Sequence, residues 1–108
     1  MDLNYMSEIK HFFGMIKPLR EDFMINYTKE DEQIMSEHFS YLKGLIASKK
    51  LVLAGPILNE KKPTGILIFE CETIEEAQEL MNEDPSIKKG IQKIILLEPF
   101  KLSLIRKD

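Results

Sequence analysis

The spacing of apolar and polar residues changes period several times along the chain, and each change marks an element. Residues 9–16, IKHFFGMI, are mostly apolar at consecutive positions. They stop against Pro18, which lacks the donor that a strand ladder needs, so a first strand is predicted there. PLREDFMINY follows as a loop holding Arg20, with Phe23 and Met24 expected to tuck against the body. From Thr28 to Lys49 the period becomes helical. One row holds Ile34, His38, Tyr41 and Leu45, and a second holds Met35, Phe39, Leu42 and Ile46. Thr28 suits the N-cap, and Glu30, Asp31 and Glu32 suit the positive end of the helix dipole. Gly44 sits inside this helix at a cost of roughly 1 kcal/mol against alanine, which a close approach of helix to sheet would explain.

LVLAGPI, residues 51–57, is the second predicted strand and closes at Gly55-Pro56. The polar LNEKKPTG connects it to a third strand, ILIFEC, over residues 66–71. A second helix begins at Thr73, with Glu76 three residues later completing a capping box. Ala77, Leu80 and Met81 give that helix its apolar face. It ends near Glu83, because the residue before Pro85 is driven out of the helical region. DPSIKKG reads as a short extra turn: Asp84 caps it, Pro85 takes its first position and Gly90 closes it. QKIILLEPF, residues 92–100, is the fourth strand, and KLSLI is expected as a further extended piece at a sheet edge.

The order β-α-β-β-α-β predicts an α+β, ferredoxin-like domain with a four-stranded antiparallel sheet. It fills residues 1–108, with extensions at 1–8 and 101–108. Two helices can cover only one face of such a sheet. Yet ILIF, IILL and LVLA are apolar at consecutive positions, and successive strand side chains point to opposite faces. About eight bare side chains at ~1.5 kcal/mol each would forfeit on the order of 10 kcal/mol, comparable to the whole stability of a domain. A second copy packed sheet against sheet is the economical cover. KLSLI is too short to take its place.

Composition narrows the setting. The chain has 108 residues, enough for one domain, with 44% hydrophobic and 31% charged residues, as in globular proteins. A net charge of −3 without a basic cluster disfavours nucleic acid as a partner. No run approaches the ~18 apolar residues of a membrane span, and MDLNYMSEIK lacks a leader's basic-then-apolar order. One cysteine, Cys71, permits no internal disulfide and fits a reducing compartment. A cytoplasmic location is therefore expected.

His38 stands on an apolar helix row, and an imidazole with its ordinary pKa of ~6.5 can give or take a proton near neutrality. The plainer alternative is a packed histidine at the helix edge with its nitrogens bonded. Asp84 is a candidate to orient that imidazole, or merely the cap of its turn; one carboxylate oxygen can serve each role. Arg20 could grip an anion with two donors, or pair at the surface with Glu21 or Asp22. Tyr41 either lines a pocket or packs in the core. His11 has no companion ligand, and Cys71 no second sulfur, so no metal site is expected. Neither a glycine-rich phosphate loop nor a nucleophile elbow is present. Cofactor-free acid–base chemistry on a small molecule is what the residues support.

EHFSYLKGLIASKKLVLAGPI, GILIFECETIEEAQELMNEDPSIKKGI and the closing EPF resemble the YciI-like (YCII-related) proteins over about residues 9–101. His38, the LAGP of residues 53–56, and the Asp84, Pro85 and Gly90 of the turn carry the likeness most specifically. FFGMIKPLREDF is similar to a branch of that family with an arginine after the first strand. The resemblance implies a dimeric α–β barrel and an active-site pair of His38 and Asp84. By analogy with muconolactone isomerase-like barrels it implies isomerase or lyase chemistry. Two positions depart from the family pattern: Met35 stands where many members have arginine, and Lys49 where many have glycine. The expected ligand is a small anionic molecule steadied by Arg20, with Tyr41 lining its pocket. A non-catalytic ligand-binding or accessory dimer is the alternative.

Overall fold

The first strand enters the sheet in its interior and the later strands build outward from it. In the computed structural model, which describes residues 10–108, β1 (His11–Pro18) pairs antiparallel with β3 (Thr64–Glu70) on one side and β4 (Gln92–Phe100) on the other. β2 (Leu51–Ile57) adds outside β3, giving the order β2-β3-β1-β4. The α+β, four-stranded antiparallel architecture is the one the patterning predicts. The residue at which the first strand was expected to start, Ile9, and the extension at residues 1–8 lie outside the described residues. Residues 101–108 form no strand, so KLSLI does not extend the sheet.

Between β1 and β2 runs α1 (Lys29–Ala47). Thr28 accepts from the Asp31 N–H at 3.0 Å, and its own N–H donates to Asp31 Oδ2 at 2.9 Å, which makes a reciprocal capping box. α2 (Ile74–Asn82) keeps half of the box expected there, the Thr73 hydroxyl accepting from Glu76 N–H at 3.1 Å. The Glu76 carboxylate instead takes Lys50 Nζ at 3.0 Å, a partner brought in from across the fold. The one-turn α3 (Pro85–Lys88) follows, capped by Asp84 and closed by Gly90 at φ 72°. At the end of α1, Lys49 occupies the left-handed region at φ 65°, which a glycine would enter without strain.

The core lies between the helices and one sheet face. Phe12, Ile16, Leu67, Phe69 and Leu51 from the strands meet Leu45, Ala77 and Met81 from the helices. Gly14 is where this layer is tightest: a Cβ there would stand 2.9 Å from Met81 Cε and 3.3 Å from Phe69 Cε2. Gly44, expected to mark a close approach, has nothing within 4 Å and is exposed, so it marks none. The first apolar row of α1 faces the sheet; of the second row Leu42 packs against the core, whereas Phe39 and Ile46 are exposed. Phe39 is 60% exposed and is covered in part by Lys43 Nζ, 4.8 Å above its ring. Phe23 is buried, but Met24 is not.

The other sheet face carries the remaining strand side chains. Leu53, Ile68, Phe13 and Glu98 form one row across the four strands, and Gly55, Ile66, Met15 and Leu96 form the next. Its apolar centre is flanked by His11 with Glu70 at one end and Lys17 with Lys93 at the other. Leu53 and Leu96 are 47% and 36% exposed, so within one chain this face stays half open.

Candidate functional site

Helical spacing brings His38 to the sheet side of α1, and capping brings Asp84 to meet it. Asp84 Oδ1 accepts the Ser86 N–H at 2.8 Å, which starts α3. Its other oxygen, Oδ2, lies 2.6 Å from His38 Nδ1. The two side chains come together across 46 residues of sequence. His38 and Asp84 are 9% and 3% exposed. Both carboxylate oxygens are therefore held, one by the turn and one by the imidazole.

Two further residues join this cluster. Ser86 Oγ lies 2.9 Å from Asp84 Oδ1, 2.9 Å from Gln92 Oε1 and 3.4 Å from His38 Nδ1. One hydroxyl carries one hydrogen, and a carboxylate and a carbonyl cannot both receive it. The consistent assignment turns the Gln92 carboxamide so that its NH₂ donates to Ser86 Oγ, whose hydrogen then goes to Asp84. Neither Ser86 nor Gln92 was among the expected site residues. Gln92 did carry a signal: it is a polar residue whose strand parity, shared with Ile94, faces the helices. Ser86 carries none, since serine beside proline is an ordinary turn former.

With Nδ1 donating to Asp84, Nε2 is the nitrogen left for a ligand. His38 and Gln92 both line a cleft of about 850 Å³ between α1, the loop before it and the β2–β3 end of the sheet. Among the described residues no buried polar side-chain atom lacks a hydrogen-bond partner, and no bond is made at Nε2. Nε2 is thus open to the cleft.

Arg20 is engaged elsewhere. It donates from Nη2 to Asp31 Oδ2 at 2.8 Å and to the Asn26 carbonyl at 2.9 Å, and from Nε to Asp22 Oδ1 at 2.9 Å. The Asp22 contact is the local surface pair that the sequence allowed. The Arg20 hydrogen bond, followed by the Thr28 backbone N–H, holds the Asp31 carboxyl down at about 2, below its ordinary 3.8. Arg20 does not line the cleft, and no lysine or arginine among the described residues does. The expectation of an anion steadied by Arg20 therefore finds no counter-charge there. Tyr41 donates to the Leu80 carbonyl at 2.7 Å and packs against the core instead of facing the cleft. Burial raises its hydroxyl above the ordinary range, with Asp84 and Glu83 adding to the effect. His11 pairs with Glu70 at 2.9 Å on the open sheet face. Among the described residues no cluster of three metal-ligating side chains occurs, and no helix is long and apolar enough to cross a membrane.

The model of the YCII-related domain matches residues 12–101, nearly the whole described chain. The chain belongs to the YCII-related domain family. Among curated proteins, the uncharacterized protein YjpA of Bacillus subtilis (strain 168) is 27% identical over 70 residues, spanning 65% of this chain and 80% of that protein. Among solved structures, the chain is similar to 5-chloro-2-hydroxyhydroquinone dehydrochlorinase (TftG) from Burkholderia phenoliruptrix AC1100, solved in complex with 2,5-dihydroxybenzoquinone. That match has a TM-score of 0.61 at 24% identity and covers 83% of this chain and 93% of the other. At this identity the likeness speaks to the fold alone.

Proposed function

We propose that this protein is a small-molecule acid–base catalyst of the isomerase or lyase type, with His38 as the group that moves the proton and Asp84 as the residue that orients it. The observation that carries the reading is the buried 2.6 Å contact of His38 Nδ1 with Asp84 Oδ2 beside an open cleft. With the Nδ1 hydrogen held on the carboxylate, the Nε2 lone pair can take a proton from a bound carbon acid and return it at another atom. The ring then ends as it began, so no co-reactant is consumed. The complex of TftG with 2,5-dihydroxybenzoquinone agrees with a frame of this kind receiving a small molecule.

The working form in this reading is a homodimer. A second copy closes over the open sheet face, with strands reversed so that the Glu70 end of one sheet meets the Lys17 and Lys93 end of its partner.

The test is a screen of lactones and related unsaturated carbon acids in D₂O, following solvent deuterium into the substrate. Turnover is expected with wild type, and a loss of about 10²–10⁴-fold in His38→Ala. Equal rates for both proteins would remove His38 from the mechanism. A second reading, binding without turnover, draws on the fact that both Asp84 oxygens already serve the fold. Ligand-induced thermal shifts with no product and no exchange would favour it.

A further inference from the structure

The cleft beside His38 is apolar, and the charges on its lining have one sign. Its volume of about 850 Å³ suits a small ligand. Phe23, Met24, Tyr27, Met35, Phe39 and Leu42 contribute to its wall. The charged residues lining it are Glu32 and Glu60, both exposed. Its buried polar residues are His38 and Gln92, and the Gln92 carboxamide is tied to Ser86. The nearest guanidinium in sequence, Arg20, is spent on Asp31, Asp22 and the Asn26 carbonyl.

An anion entering such a cleft sheds water, meets two carboxylates and finds no lysine or arginine on the lining, Lys43 lying outside it over the Phe39 ring. An uncharged molecule sheds little and gains by covering aromatic and methionine side chains. We infer that the site takes an uncharged, mainly apolar molecule whose one hydroxyl or carbonyl meets His38 Nε2, and that it discriminates against carboxylates of the same shape. The inference rests on the reading of His38 as the group that contacts the ligand. Met35 is the residue that fixes this preference on α1. It lines the cleft three positions before His38, where an arginine would place a positive charge beside the ligand.

The experiment compares 2-naphthol with 2-naphthoate, which share the naphthalene ring and differ in the charge of the polar group. Each is titrated into the full chain while the His38 imidazole resonances are followed by NMR. The naphthol is expected to move those resonances and to bind at least about tenfold more tightly than the naphthoate, a difference of ~1.4 kcal/mol. Met35→Arg is expected to tighten naphthoate by about tenfold and narrow the gap. Naphthoate binding wild type as tightly as naphthol, with His38 resonances moving, would overturn the charge selection while leaving His38 in contact with ligand. A folded Met35→Arg that gains nothing for naphthoate would overturn it too. His38 resonances unmoved by both probes would overturn the contact itself, and the inference with it.

Discussion

Ser86→Ala deletes one oxygen from the most buried point of the site. The residue is 0% exposed, and its Oγ bridges Asp84 Oδ1 and the Gln92 carboxamide at 2.9 Å each. Removing it takes a donor from a carboxylate, a bond worth about 1.5–3 kcal/mol net. It also strands the Gln92 carboxamide, but Gln92 borders the cleft and water can reach it there. The lower half of that range applies, so the expected loss is about 2 kcal/mol. For a domain of this size that is a fall of roughly 8–16 °C in Tm. Urea unfolding followed by circular dichroism at one fixed protein concentration measures it, since assembly would otherwise shift the midpoint. The double variant Ser86→Ala/Gln92→Leu is expected to lie close to Ser86→Ala, because water already serves the Gln92 carboxamide in the single variant and the donor lost to Asp84 is not restored. In parallel, the His38 Nδ1–H resonance is expected to broaden as Asp84 loses one of its holds. A Ser86→Ala protein within about 0.5 kcal/mol of wild type, with an unchanged Nδ1–H signal, would refute the assignment of the Ser86 hydrogen to Asp84.

Two other outcomes test the frame around the site. Ile68 sits mid-row on the open face between Phe13 and Leu53. Ile68→Lys would bury an unpaired ammonium in a sheet-to-sheet interface at a cost of several kcal/mol, so sedimentation velocity at about 10 μM should show a dimer for wild type and a monomer for the variant. Equal masses for the two would remove that face from the assembly. Asp31 has its carboxyl lowered from 3.8 to about 2, chiefly by Arg20, so its contribution to stability is complete above the unfolded value and is lost as pH falls through the folded one. The stability gap between wild type and Asp31→Asn should be full near neutrality and close between about pH 4 and 2; a gap that persists unchanged below that window would show that Arg20 does not hold the carboxylate.

Local periodicity and local caps decide much of the fold. The inward row of α1, the turn at Asp84 to Gly90 and the succession of elements along the chain follow from residues close in sequence. The second row of α1 looked equivalent on spacing, yet a helix lying on a sheet buries one stripe, and Phe39 was left outside it. Gly14 and Gly44 carry the same conformational cost in sequence, and only packing shows that Met81 crowds the first and nothing crowds the second. Arg20 shows a different boundary. Asp31 is legible as a charge in the first turn of a helix, but the oxygen that caps Thr28 is also the one that captures Arg20. That sharing depends on how the loop of residues 19–28 folds back, which no spacing rule contains. The Ser86 and Gln92 contacts depend likewise on β4 starting directly beneath α3.

Asp84 is gripped at both oxygens, one by the backbone of its own turn and the other by an imidazole 46 residues away. One carboxylate thus ties a local turn to a long-range contact, and losing the Asp84 side chain would loosen both together. If His38 moves a proton as proposed above, its imidazole is oriented only in a chain whose α1 and α3 are already packed together.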